Sequence, residues 1–322
     1  MPCETAVVTS RSFGSGDADP AATLRAAGLT VLSADNGHEP ARLAEPLASA
    51  VGWIAGSGGI TAELLDAAPQ LRVIARVGTG TDAIDMAATA ARGIVVTNTP
   101  GANTEAVADH TVGLMLAALR GTADGDRVAR SGSWTAPRRG RELGSLTVGI
   151  VGYGMIGRAV ARRLRRGFGC TVLAHDPFAA GGDDGNAQLV DFDVLVGRAD
   201  VLSLHLPATS APLVDGALLA RCRPGLVLVN TARGALLDEA VVADALRSGW
   251  LGAVAVDVLS SEPPTSSPLL GAPNVTVTPH VGATTTEAID RMGVEAAAEV
   301  VRVLSGEPPL HPVAPHDEVA SR

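Results

Sequence analysis

Lysine is absent: all 25 basic residues of this 322-residue chain are arginine. That excludes Schiff-base chemistry and a Walker-type phosphate lysine. The all-arginine usage reads as codon bias in a GC-rich bacterial genome. Cysteine is scarce. Cys3, Cys170 and Cys222 lie far apart, match no metal or redox spacing, and point to a reducing compartment. The start, MPCETAVVTS, lacks a basic segment followed by a long apolar one, so no signal peptide is expected. No apolar run approaches the roughly 20 residues of a spanning helix. Positive charge is not in excess either: the net charge is −9, which argues against general affinity for nucleic acid or anionic membrane. A cytoplasmic protein with neither partner and no metal is expected.

What is present is a large apolar fraction, 46% hydrophobic against 18% charged residues, in a chain long enough for two domains. The organising stretch is Thr147 to Asp176. TVGIVG is a β-branched run of the kind that forms a buried strand. Gly152-Tyr-Gly154-Met-Ile-Gly157 follows, then a helical pattern with Ala159, Val160 and Leu164, then CTVLAHD, a second strand ending on Asp176. Gly152 would allow the tight turn, Gly154 a close approach of pyrophosphate, and Gly157 the packing of helix on strand. The helix N-terminus would face the phosphates. Asp176 would accept from an adenosine ribose and repel a 2′-phosphate, favouring NAD over NADP. Asp183 and Asp184 add negative charge, and no Arg follows closely in sequence.

Before this stretch, strands at Ala6 to Thr9, Thr30 to Ser33, Val51 to Gly56, LRVIARVG and GIVVTNTP alternate with helices at Asp19 to Ala27, Glu39 to Ser49, Thr61 to Ala67 and Asp82 to Ala91. Such alternation means a parallel, doubly wound sheet. A second alternating series starts at Thr147, so the fold class is α/β with two doubly wound parallel-sheet domains. Asn103 to Arg120 is expected to be a connecting helix, and Ala123 to Leu143, with Trp134, an exposed arm. Thr285 to Leu304 is a last long helix, expected to pack back on the first domain. The tail after Pro312 is expected to fray.

Four further stretches carry chemistry. Arg76-Val77-Gly78-Thr79-Gly80 is either a plain turn or a glycine loop whose N–H groups suit a carboxylate. Arg233, straight after the buried strand GLVLVN, is either a surface turn residue or a bidentate carboxylate anchor that polarises a neighbouring carbonyl. Asp257 closes the strand GAVAV and could contact a nicotinamide carboxamide; Glu262 follows it. His280 ends the strand NVTVTP. A lone His is more often structural, but a His–Glu pair is what oxidation of a hydroxyl needs, with imidazole as proton carrier and carboxylate fixing its tautomer.

Taken together, ARVGTGTDAID, NTPGANTEAVADH, GIVGYGMIG, LSLHLPAT, LVNTARGALLDE, AVDVLSSEPP, NVTVTPHVGATTTEA and GEPPLHPV resemble the D-isomer-specific 2-hydroxyacid dehydrogenase family, from about Val51 to Pro312. Within it the likeness is greatest to the 3-phosphoglycerate dehydrogenases, in a short form without their regulatory C-terminal domain. The resemblance implies a Rossmann NAD-binding domain, residues 99–281, inserted in a flavodoxin-like substrate domain, residues 1–98 and 282–322. It implies Arg233, Glu262 and His280 as the catalytic set. Arg76, Val77, Gly78, Thr79 and Asn103, with Arg233 and His280, would hold the substrate. Gly152, Gly154, Met155, Ile156, Gly157, Asp176, His205, Pro207, Thr231, Ala232, Asp257 and Gly282 would line NAD. It also implies a homodimer built on the cofactor domain.

The activity so implied is hydride transfer between NAD(H) and a D-2-hydroxy acid/2-keto acid pair. That pair is 3-phosphoglycerate/3-phosphohydroxypyruvate or a related phosphorylated or phosphonate acid. The loop AGSGGIT lacks the basic residue that phosphoglycerate enzymes commonly place there. Phosphate recognition would then fall to Arg76 or to Arg138, Arg139 and Arg141, and a generic D-2-hydroxyacid dehydrogenase remains an alternative. A non-catalytic NAD(H)-sensing protein of this fold is disfavoured because all three catalytic residue types are present. Formate chemistry, which usually pairs the His with Gln, and phosphite chemistry, which uses a Lys, are disfavoured by Glu262 and by the missing lysine.

Overall fold

The computed structural model describes residues 4–135, 138–179 and 181–314. Cys3 and the tail beyond residue 314 lie outside the described residues, as do two residues of the expected arm. The chain divides into two compact units: Thr104–Gly282, and the flanking segments up to Asn103 and from Ala283.

In the flanking unit, β1 (Thr5–Val8), α1 (Pro20–Ala26), β2 (Thr30–Ser33), α2 (Pro40–Ala48), β3 (Ala50–Ala55), α3 (Ala62–Asp66), β4 (Val73–Arg76), α4 (Met86–Ala91) and β5 (Val95–Thr97) alternate. The sheet order is β2-β1-β3-β4-β5, all parallel, the flavodoxin-like order. Helix starts obey capping chemistry. Asp19 accepts from Ala22 N ahead of Pro20, and Thr61 caps α3. The helix expected from Asp82 begins only at Met86. Thr81 to Ile84 forms a turn, and Asp85 caps the helix by accepting from Ala88 N at 2.8 Å. The final helix, Thr286–Leu304, packs on α1, β3 and β4, so this unit is discontinuous in sequence.

The central unit opens with α5 (Thr104–Arg120) and α6 (Thr122–Arg130). It continues through β6 (Thr147–Val151), α7 (Met155–Arg163), β7 (Thr171–His175), β8 (Gly182–Asp183), β9 (Gln188–Leu189), α8 (Phe192–Arg198) and β10 (Val201–Leu204). α9 (Gly216–Leu219), β11 (Leu226–Asn230), α10 (Glu239–Arg247), β12 (Leu251–Val256) and β13 (Val275–Val277) complete it; the closing helix of the flanking unit is α11. The strand order is β13-β12-β11-β10-β6-β7-β9-β8, parallel except for the β8–β9 hairpin. β11 is buried at every position because it runs through the middle of the sheet with both faces covered. The order reverses between β6 and β10, the kind of switch point at whose carboxyl ends open α/β sheets bind ligands. The segment expected to be an exposed arm contains a helix. α6 buries none of its residues, and its Arg-Asp pairs Arg127–Asp124 and Arg130–Asp126 hold it without a core. Among the described residues no helix is long and apolar enough to cross a membrane.

Candidate active site

The glycine turn after β6 is explained glycine by glycine. Gly152 has φ +92°, and a Cβ there would lie 2.3 Å from the His205 carbonyl oxygen. A Cβ on Gly157 would lie 2.2 Å from the Gly152 carbonyl oxygen, so helix and strand could not pack as they do. A Cβ on Gly154 would meet nothing within 4 Å. The packing of the protein does not require glycine there, and its absent side chain leaves the backbone open to approach from outside. The N-terminus of α7, at Met155 and Ile156, follows directly. Asp176 directly follows β7, accepting from Tyr153 N at 2.8 Å and Phe178 N at 2.9 Å. An open backbone approach, a helix N-terminus and a fixed carboxylate form a donor and acceptor set that fits a dinucleotide.

One expectation here needs correction. Asp184 does not simply add negative charge beside Asp176. It accepts from Tyr153 Oη at 2.9 Å and pairs with Arg158 at 3.3 Å, and the guanidinium lies 4.5 Å from the Tyr153 ring centroid. The fold brings in an Arg that sequence order did not place near the acid.

Four strand ends deliver the other side chains to the same edge of this sheet. After β10, His205 Nε2 bonds Ser203 Oγ at 2.9 Å, and burial pushes its imidazole down to about 4, so it is neutral; Pro207 is exposed just beyond. After β11, Asn230 folds back on its own loop, donating to Arg233 O at 2.8 Å and accepting from Ala232 N at 3.0 Å. Arg233 itself donates to Ala232 O at 2.7 Å. The Thr231 hydroxyl meets Thr111 Oγ1 at 2.8 Å. Gly234 is obligatory: a Cβ there would lie 2.0 Å from the Leu259 carbonyl carbon, so the Arg233 turn presses on the loop that carries Glu262.

His280 and Glu262 meet, Nδ1 to Oε2, at 2.6 Å. Glu262 Oε1 accepts from Leu259 N at 3.1 Å. The hydrogen bond that His280 Nδ1 donates to Glu262 raises the His280 pKa against the opposing effect of burial; the charges of Glu262 and Asp257 add to the rise and that of Arg233 reduces it. Burial alone would raise the Glu262 pKa, but His280 and the Leu259 N–H hold it below the usual carboxylate range. His280 has φ +52°, a left-handed conformation that a β-carbon disfavours.

The strain is held by Asp257, which is 3% exposed. Its Oδ1 accepts from Thr278 Oγ1 at 2.5 Å, Val281 N at 3.0 Å and His110 Nε2 at 3.2 Å, and its Oδ2 from Gly282 N at 2.8 Å. Its backbone carbonyl accepts from His280 N at 2.9 Å. Burial works against ionisation, yet these donors keep the Asp257 pKa low. The expected nicotinamide contact is thus a residue already occupied in fixing the His280 turn. Sequence reasoning missed His110 and Glu239. Glu239 braces the Glu262 loop, accepting from Ser260 N at 2.7 Å and Ser267 Oγ at 2.5 Å. The run ADH supplied a signal for His110; nothing in sequence marked Glu239.

In the flanking unit, two N–H groups of the glycine loop are engaged by the fold itself. Val77 N donates to Ala55 O at 2.9 Å and Gly78 N to Thr99 Oγ1 at 3.0 Å. Those two donors are taken by β3 and by the segment just after β5. Thr79 Oγ1 meets Asn103 Oδ1 at 3.4 Å, and the Arg76 guanidinium donates to Val77 O and lies against Gly78. Arg138 donates to Ala118 O and Arg141 pairs with Asp200 at 3.3 Å, both within the central unit.

Residues 112–282 match the model of the D-isomer specific 2-hydroxyacid dehydrogenase NAD binding domain. Over 253 residues the chain is 44% identical to D-3-phosphoglycerate dehydrogenase of Mycobacterium leprae, covering 77% of this chain and 48% of that protein. It is 39% identical over 261 residues to glyoxylate reductase of Thermofilum pendens, covering 78% of this chain and 77% of the relative. A solved protein structure from Thermus thermophilus superposes with a TM-score of 0.86 at 37% identity, covering 96% of this chain and 100% of that one. The chain spans about half the length of the phosphoglycerate dehydrogenases it matches.

Proposed function

We infer the activity from one premise: the chain belongs to the D-isomer-specific 2-hydroxyacid dehydrogenase family. The proposed reaction is NAD-dependent interconversion of a D-2-hydroxy acid and its 2-keto acid. The observation that carries it is the 2.6 Å bond between His280 Nδ1 and Glu262 Oε2 at the carboxyl edge of the cofactor sheet. An ionised carboxylate only accepts, so Nδ1 donates and Nε2 is left to exchange a proton with substrate. In the reducing direction, imidazolium Nε2–H gives its proton to the keto oxygen, and Glu262 stabilises the charged ring until that moment. Arg233 anchors the carboxylate and polarises the carbonyl. When bound against Gly154 and Asp176, NAD(H) supplies or takes the hydride.

The substrate proposed is an anionic acid, 3-phosphohydroxypyruvate/3-phosphoglycerate or a phosphonate analogue, on the strength of the phosphoglycerate dehydrogenase relatives and of Arg76. The glyoxylate reductase relative supports a second reading, a generic 2-keto acid reductase. An NADH-consumption screen over 2-keto acids, with and without phosphate or phosphonate, decides between them. kcat/KM highest for 3-phosphohydroxypyruvate supports the first, and preference for glyoxylate or hydroxypyruvate the second. The same reading makes the protein a cytoplasmic homodimer assembled through the central unit. The exposed α6 and Trp134, 92% exposed, would form its partner-facing arm. Light scattering at the mass of one chain would remove the dimer from the proposal.

A further inference from the structure

His110 lies on α5, a helix that the reaction as described does not use. Its Nε2 is 3.0 Å from Thr278 Oγ1 and 3.2 Å from Asp257 Oδ1. The Thr278 hydroxyl spends its proton on Asp257 Oδ1 at 2.5 Å, so its oxygen can only accept from His110. The ring nitrogen facing this pair therefore carries hydrogen and is shared between the hydroxyl and the carboxylate. A Cβ on Gly282 would come within 2.9 Å of Asp257 Oδ2 and 3.5 Å of His110 Cδ2, so the residues enclosing the strained turn are in close contact. Left-handed, non-glycine backbone at His280 persists only where its surroundings over-determine it. Here they are one carboxylate, one hydroxyl and one imidazole.

We propose that His110 is a positioning residue for the reaction: through Thr278 and Asp257 it fixes the turn that presents His280. This rests on the dehydrogenase reading for its kinetic consequence, but not for its structural one. Loss of His110 leaves the Thr278 oxygen without its donor and takes one donor from Asp257, and the turn after β13 loses its tie to α5. His280 then meets Glu262 less persistently. The charged groups acting on His280 are Glu262, Asp257 and Arg233, and none of them is removed by changing His110.

The test compares wild type, His110→Ala, His110→Gln and Thr278→Val, with thermal melts to establish folding. Gln keeps an N–H donor near the Nε2 position; Val keeps the shape of Thr without its hydroxyl. Histidine Cε1–H resonances are titrated by NMR, the His280 signal being assigned by its loss in His280→Gln. His110→Ala and Thr278→Val are expected to move the His280 titration down toward the ordinary imidazole value of about 6.5. They are expected to lower kcat on the order of 10- to 100-fold with KM little changed. His110→Gln is expected to restore both. Folded variants with an unmoved His280 titration overturn the proposal. So does a Gln variant as impaired as Ala, which makes the role only structural. If Ala does not fold, Thr278→Val and Gln carry the same decision. A wild-type protein that turns over no 2-keto acid refutes the dehydrogenase reading, while the titrations still decide the role of His110.

Discussion

The backbone N–H of Tyr153, the residue between the first two glycines of the turn, donates to Asp176 Oδ2 at 2.8 Å. The acid that would read the ribose is thereby fixed to the turn that would hold the pyrophosphate. Asp176→Ala should weaken NADH by about tenfold or more, as loss of a hydrogen bond to a charged group does. It should also narrow the preference over NADPH, because the repelling charge is gone. Kd values for both cofactors by fluorescence titration check this; an unchanged NADH/NADPH ratio contradicts it.

Two glycines of one motif should behave oppositely. Gly157→Ala places a methyl against the Gly152 carbonyl and should cost about 1–3 kcal/mol of stability. Gly154→Ala fills open space and should change stability by less than about 1 kcal/mol, yet weaken NADH binding strongly. Denaturant melts and NADH titration of both variants test the contrast. Equal loss of stability would show that Gly154 serves the fold and not a ligand.

Glu262 should set the pH dependence. Oxidation of a hydroxy acid needs neutral His280, so kcat/KM rises with pH and levels off above the His280 pKa, which is raised from 6.5. Reduction needs imidazolium and falls with rising pH through the same value. Glu262→Gln removes the charge that raises that pKa, so both curves should move to lower pH while kcat falls. Profiles measured in both directions check the sign; a shift to higher pH contradicts the assignment.

Much of this was legible in the sequence because the signals were local. The alternation of strand and helix, the three glycines, the Asp closing β7 and the single His following β13 each follow from neighbouring residues. What was not legible depended on pairing between distant segments. Val77 and Gly78 looked like free donors until Ala55 and Thr99 took their N–H groups. Arg158 stands 26 residues before Asp184 and reaches it only because the β8–β9 hairpin folds back toward the glycine turn. Nothing local marked Glu239, whose partners Ser260 and Ser267 are more than 20 residues away in sequence.

The most direct measurement is NADH consumption with 2-keto acids by wild type and His280→Ala, side by side with their NADH affinities. The account predicts turnover by wild type, a fall of about 100- to 10,000-fold in kcat for the variant, and nearly equal Kd for NADH. Near-wild-type turnover without the imidazole would contradict it.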